Sequence, residues 1–390
     1  MPGEHTEHLL PDSTGDPVSF TRTSAPVGRF ARWRMLLMTF LGLTALVTLS
    51  ACGGAASNGS GGESTSAGAS SSSSAPAGSG ESRPPGKAAT VQDNGNGTFT
   101  VDHAQGTTEV PANPEKVFVF DLGVMDTMNA IGVAPAGVPE ATYPESLQGL
   151  ADQAETTIGA MKEPDFETIA TAGPDLIITS GRTAEAYGEL SKIAPTVNLA
   201  VDMTNPLESF EANAKVIGTI FGKTEAVEGK LKGLEGKIED AKATLKEADQ
   251  GNGLIVLTSA GEVTAYGAGS RFGLIHDLLG VPPAADVKAE GAHGESISFE
   301  YIAETNPDLL FVIDRDAATG EGGQAADAVL DNDLVNGTNA VRNGKIIKLD
   351  PTNWYVVGYG LNSLPQMIDQ VVNGVVTEST TGGTDATSDS

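Results

Sequence analysis

One pattern occurs twice, 133 positions apart, and it constrains the fold more than anything else in the chain. The first copy runs Phe166-Glu167-x-Ile169-Ala170-x-x-x-Pro174-Asp175-Leu176-Ile177 and closes on Arg182. The second runs Phe299-Glu300-x-Ile302-Ala303-x-x-x-Pro307-Asp308-Leu309-Leu310 and closes on Arg315. Glutamate and arginine stand fifteen positions apart in both. A solenoid repeats at about 20–50 residues and needs at least three units. Two copies this far apart predict two similar lobes, and a cleft between lobes is a usual place for a small ligand.

Each copy has a physical reading. Asp165 and Ser298 are good N-caps, so a short amphipathic helix is expected after each. Glu167 and Glu300 then fall in first helical turns, where the helix dipole favours negative charge. Pro174 and Pro307 stop the helices. The apolar runs Leu176–Thr179 and Leu309–Ile313 read as strands buried on both faces. Arg182 and Arg315 then lie just past the carboxyl ends of those strands, the edge at which open α/β sheets take ligands. The glutamates open helices that precede strands, which puts them on the same rim.

The chain begins with a segment of another kind. In residues 1–51, Arg29, Arg32 and Arg34 precede an apolar stretch from Met35 to Leu49, the organisation of a signal peptide. Leu49-Ser50-Ala51-Cys52 resembles a bacterial lipobox, in which Cys52 is lipidated and becomes the mature N-terminus. Cys52 is the single cysteine, so an intramolecular disulfide is excluded. Residues 52–90 are rich in Gly, Ser, Ala and Pro and read as a flexible tether. We divide the remainder into an N-terminal lobe (91–206), an interlobe helix (207–250), a C-terminal lobe (251–375) and a polar tail (376–390). The expected location is the outer face of the cytoplasmic membrane, with the lipid as the only membrane contact.

The leader holds four acids and four bases, so the net charge of −28 belongs to the rest of the chain. Such acidity argues against nucleic acid, which needs a basic face. It also makes the few arginines of the folded part (Arg182, Arg271, Arg315 and Arg342) conspicuous. Arginine grips delocalised oxyanions well, because its planar fork stays charged and donates in pairs.

Along the folded part, turn signals near Asn94–Gly97 suggest an opening hairpin, and Val117–Phe120 reads as a buried strand before a helix from Asp121. A helical pattern then extends from Leu207 to about Ala248. Its later half carries Val227, Leu231, Leu234, Ile238, Ala241 and Leu245 as one apolar stripe, although several glycines interrupt the sequence. Strands are expected at Leu254–Thr258, Val263–Tyr266 and Ile346–Leu349, and a closing helix from Leu361 to Val372. The glycines around Ser270-Arg271-Phe272-Gly273 do not follow the dinucleotide spacing G-x-G-x-x-G.

Val110–Val117, the Pro-Asp-Leu strands, Ser270-Arg271-Phe272-Gly273 and Trp354-Tyr355 together resemble the iron-siderophore substrate-binding proteins of ABC transporters, above all the ferric-catecholate subgroup. The likeness covers about residues 98–373. It implies two α/β lobes joined by one long helix, of the class III periplasmic-binding-protein kind, with the ligand in the cleft. It also implies a monomer without enzyme activity or intrinsic cofactor, which hands a ferric siderophore to a permease dimer. Arg182, Arg271 and Arg315 match the arginines around the catecholate oxygens, with Trp354 and Tyr355 beside them. A ferric tris-catecholate is a trianion. At ~5 Å and an effective dielectric of ~20, each charge pair is worth about 3 kcal/mol before desolvation. His293 and Tyr355 match a pair that ligates iron when the siderophore leaves sites free. Glu167 and Glu300 match acidic knobs, one per lobe, that dock the permease.

Other functions remain open at this point. Haem, cobalamin, ferric citrate or a hydroxamate complex could be the ligand. A metal-dependent enzyme would need more than the widely scattered His103, His276 and His293, and no nucleophile elbow, P-loop or zinc motif is present. The tether would also suit a displayed adhesion domain.

Overall fold

The computed structural model describes residues 88–249, 251–288 and 294–377. The signal peptide, Cys52, most of the tether, His293 and the tail after Thr377 lie outside the described residues.

The described residues open with a three-stranded antiparallel sheet, β1 (Thr90–Asp93), β2 (Thr98–His103) and β3 (Gly106–Pro111), one strand more than the expected hairpin. The first lobe follows: β4 (Val117–Val119), α1 (Leu122–Ala130), β5 (Gly137–Glu140), α2 (Glu145–Asp152), β6 (Thr156–Ala160), α3 (Phe166–Ala172), β7 (Leu176–Thr179), α4 (Tyr187–Leu190) and β8 (Thr196–Asn198). Its strands pair in the order β6-β5-β4-β7-β8, all parallel.

The helical stretch expected from Leu207 divides into α5 (Pro206–Ile220) and α6 (Thr224–Ala248). Gly222 takes a left-handed conformation (φ 61°), and the Lys223 amide bonds back to the Gly218 carbonyl, closing α5 with a glycine cap. The joining helix is therefore α6 alone, 25 residues long. All six residues of its apolar stripe are buried.

The second lobe contains β9 (Gly253–Ser259), β10 (Glu262–Tyr266), α7 (Leu274–Asp277), β11 (Glu295–Ile297), α8 (Phe299–Thr305), β12 (Leu309–Asp314) and α9 (Arg315–Thr319). The short helices α10 (Ala326–Leu330), α11 (Asp333–Asn336) and α12 (Asn339–Arg342) lead to β13 (Ile346–Lys348) and the closing α13 (Ser363–Val376). Strand order is β11-β10-β9-β12-β13. β10 alone runs against the other four strands; it folds back on β9 through Ala260-Gly261, both at positive φ, as a tight hairpin turn demands. The lobes thus match around the repeat (β4-β7-β8 against β9-β12-β13) and differ on the other side.

The repeat has the same local chemistry in both copies. Asp165 accepts from the Thr168 amide at 3.0 Å and Ser298 from the Tyr301 amide at 3.3 Å. The helices end on left-handed residues, Gly173 and Asn306, placed directly before the prolines. Each helix thus stops at its pre-proline residue as expected, and that residue leaves the right-handed α region as a left-handed cap. Asp175 accepts from the Lys116 amide at 2.8 Å, and Asp308 from the Asn252 amide at 3.0 Å. Each aspartate thereby ties its strand to the chain entering the neighbouring one. In β12, Leu309, Phe311 and Ile313 face one apolar cluster while Leu310 and Val312 face another, which accounts for the unbroken apolar run.

α13 is held at both ends. Asp126 on α1 accepts from the amides of Asn362 and Ser363 at 2.7 and 3.0 Å, and buried Lys345 donates to the carbonyls of Val375 and Thr377. Negative and positive charges sit where the helix dipole favours them. Because Asp126 belongs to the first lobe, this cap also fastens the segment before α13 across the molecule. Close approach is required there: a Cβ on Gly123 would lie 2.6 Å from the Tyr359 carbonyl oxygen. Among the described residues, no helix is long and apolar enough to cross a membrane.

Candidate functional site

Residues 352–357 form one wide helical turn, with the Gly358 amide bonded back to the Asn353 carbonyl at 2.8 Å. The turn points its two aromatic residues to different places. Trp354 is 2% exposed and donates from Nε1 to Gln370 on α13 at 2.9 Å. It packs in the core, directly before Tyr355 in sequence, and its part in ligand binding belongs with the proposed function. Tyr355 is half-buried, and three arginines converge on it.

Arg182 reaches it from the first lobe, three residues beyond the end of β7. Its Nη1 donates to the Val356 carbonyl at 2.9 Å and its Nη2 to the Tyr355 carbonyl. Arg271, in the turn between β10 and α7, donates from Nη2 to the same Tyr355 carbonyl at 2.8 Å. Its guanidinium lies 4.6 Å from the Tyr355 ring centre and 4.7 Å from that of Phe272. Arg315, first residue of α9, donates from Nε to the Tyr355 hydroxyl at 3.0 Å and from Nη1 to Ser259 Oγ at 2.9 Å. The guanidiniums of Arg182 and Arg315 lie 5.7 and 5.8 Å from the same ring centre. Three cations this close to one aromatic ring make a cation–π arrangement.

Electrostatics identify what such a cluster lacks. Burial, with Arg182 nearby, holds the Arg271 guanidinium below its ordinary pKa. Arg315 is pushed the other way, first by its hydrogen bond to the Tyr355 hydroxyl. Among the described residues, neither Arg182 nor Arg271 is paired with a carboxylate; carbonyls and an aromatic ring face them instead. Arg315 has Glu321 at 3.1 Å and Asp316 at 3.7 Å. Half-buried cations without counter-ions are best satisfied by an anionic guest with several oxygens. Arg342, the fourth arginine, bonds Asn339 and takes no part.

Glu167 and Glu300 are exposed on the first turns of α3 and α8. Glu300 is held below the usual carboxylate range by its own backbone amide and by Ser298. Among the described residues, no three His, Cys, Asp or Glu side chains gather as a metal site. Sequence reading missed Ser259, Glu321 and Tyr266. Ser259 had a signal, since Ser-Ala-Gly between two strand patterns is a hairpin turn. Tyr266 packs edge-on against Phe272 at 4.7 Å, and burial raises its phenol pKa. Two grooves elsewhere, about 340 Å³ against β1 and α5 and about 450 Å³ between α6 and α13, gather no comparable set of cations.

The periodic signals and the cluster meet in one comparison: residues 117–352 match the family described as periplasmic binding protein. The chain belongs to that family. It is 39% identical over 342 residues to the petrobactin-binding protein YclQ of Bacillus subtilis (strain 168), covering 87% of this chain and 98% of that protein. It is 32% identical over 282 residues to the ferric-anguibactin-binding protein FatB of Vibrio anguillarum, covering 71% and 87%. The crystal structure of YclQ superposes with a TM-score of 0.69 at 44% identity, covering 72% of this chain and 99% of that one. That of the periplasmic catecholate-siderophore binding protein VctP from Vibrio cholerae gives 0.66 at 34%, covering 70% and 99%. The α/β fold expected from the sequence is the fold of these binding proteins.

Proposed function

We propose that this protein captures a ferric siderophore of the catecholate class and delivers it to an ABC permease for iron uptake. The observation that carries this reading is the convergence of Arg182, Arg271 and Arg315 on Tyr355. A ferric tris-catecholate presents three negative charges and six phenolate oxygens, which complement three half-buried cations beside an aromatic ring. The relatives named for petrobactin, ferric anguibactin and catecholate siderophores support the same ligand class. Iron arrives as cargo, and the protein needs no cofactor of its own.

In this reading Tyr355 has a second role. Its hydroxyl, already an acceptor for Arg315, supplies a phenolate to iron when a tetradentate siderophore leaves two sites free, with His293 as the other donor. Glu167 and Glu300 dock a permease dimer, one glutamate per lobe, and the protein acts as a monomer without turnover. Cys52 carries the lipid that holds it to the outer face of the cytoplasmic membrane.

The test is a fluorescence titration of the leader-free protein with a panel of ferric and iron-free siderophores. The chain has two tryptophans, and Trp33 belongs to the leader, so emission then reports on Trp354 alone. Saturable quenching by ferric catecholates, with the complex recovered unchanged, is the expected result. Chemical conversion of the complex would make the protein an enzyme, and no quenching by any ferric catecholate would end the reading.

A further inference from the structure

Arg315 already holds carboxylates, and the two differ in kind. Asp316 is buried, accepts from Ser259 Oγ at 3.2 Å and from the Ala260 amide at 2.8 Å, and lies so close to Gly323 that a Cβ there would meet its carboxylate. It cannot leave. Glu321 is largely exposed and stands in the loop Gly320-Glu321-Gly322-Gly323, which begins at a left-handed glycine (φ 71°). Its carboxylate lies 3.1 Å from Arg315 Nη1 and returns to water at little cost. The loop also starts between the lobes, because Thr142 on the first lobe donates from Oγ1 to the Thr319 carbonyl at 3.1 Å.

We propose that Glu321 is an internal counter-anion that decides which guests gain Arg315. This rests on the ferric-siderophore reading above. A tethered carboxylate competes at a local concentration in about the millimolar range, so a small free anion below that level gains nothing by replacing it. A polyanionic complex gains Arg182 and Arg271 at the same time and displaces it. On departure of the guest, Glu321 closes on Arg315 again, which lowers affinity and favours release. A neutral complex has no charge with which to compete, and its binding is independent of Glu321.

The experiment compares wild type, Glu321→Gln and Arg315→Ala, with the double variant, by titration with ferric enterobactin (trianionic) and ferrichrome (neutral). We expect Glu321→Gln to bind ferric enterobactin about two- to fivefold more tightly, the range exposed ion pairs span. Ferrichrome affinity stays unchanged, and the gain vanishes in the Arg315→Ala background. Millimolar inorganic phosphate weakens ferric-enterobactin binding more in Glu321→Gln than in wild type. Unchanged or weaker ferric-enterobactin binding by Glu321→Gln, an equal gain for ferrichrome, or a gain that survives Arg315→Ala each overturns the proposal. Equal phosphate sensitivity overturns the screening of small anions. If wild type binds neither complex, the ligand reading falls and takes this inference with it; wild-type binding with no Glu321 effect overturns the inference alone.

Discussion

Arg271 donates to the carbonyl of Tyr355 at 2.8 Å while its guanidinium lies 4.6 Å from the centre of the same residue's ring. One residue thus holds a cation by two independent contacts; Arg182 shares the same carbonyl, whereas Arg315 bonds the hydroxyl. Repulsion among the three is offset by carbonyl dipoles and the ring face, which keeps the cations assembled before a ligand arrives. Preorganisation of this kind lowers the cost of binding.

Removing any one cation should therefore be felt. Arg182→Ala, Arg271→Ala and Arg315→Ala are each expected to weaken ferric-catecholate binding by about tenfold or more, about 1.4 kcal/mol. Far-ultraviolet circular dichroism should be unchanged, because all three are only half-buried. Wild-type affinity in all three variants would mean that the anion site lies elsewhere.

Tyr355→Phe separates ring from hydroxyl. The variant keeps the aromatic face and the carbonyl for Arg182 and Arg271 but loses the acceptor for Arg315 Nε. Affinity for a hexadentate ferric tris-catecholate should fall by no more than about fivefold, the loss of one hydrogen bond. Tetradentate complexes should lose more, together with the phenolate-to-iron absorption band. Identical colour and affinity with both kinds of complex would remove Tyr355 from the iron.

Glu167→Ala and Glu300→Ala should leave ligand affinity intact and impair uptake in cells, most severely together. Both side chains are exposed on matched first turns, remote in contact from the arginine cluster. Impaired binding by the purified double variant would assign them to the cleft.

The two ends of α13 test how that helix is fastened, and the Asp126 end also tests the tie to the first lobe. Asp126→Ala strands the amides of Asn362 and Ser363, and Lys345→Ala strands two terminal carbonyls. Each should cost about 1–3 kcal/mol in denaturant unfolding. Asp126→Asn keeps an acceptor oxygen and should cost less than Asp126→Ala. Burial raises the Asp126 pKa, so the charged form has a desolvation cost that the amide avoids.

His276 predicts an acid limb to stability. Burial depresses its pKa below 6.5, and its Nδ1 lies 2.8 Å from the Val281 carbonyl oxygen. Below about pH 6.5 the unfolded chain takes up a proton that the folded one resists, so stability falls as pH falls toward the folded-state value. The drop in Tm between pH 7.5 and 5.5 should be smaller in His276→Gln than in wild type. An equal drop would put the titrating group elsewhere.

The sequence by itself determined the repeat, and with it much of the architecture. Cap residue, buried strand and closing arginine are local instructions: a side-chain acceptor before a helix or an unbroken apolar run means the same in any context. The stripe of α6 was legible for the same reason. Tertiary structure decided the rest. It split the long helical pattern at Gly222, because a left-handed glycine lets α5 fold back where Gly218 admits Val227 at close range. It reversed β10 against the rest of the second sheet through the Ala260-Gly261 turn, since strand direction depends on where the next segment packs. It sent Trp354 into the core and Tyr355 toward the arginines, a choice made by one wide turn that no periodicity encodes. The partners of Arg315, Ser259 and Glu321, are 56 and 6 residues away in the chain and meet only because β9, β12 and the loop after α9 share one sheet edge.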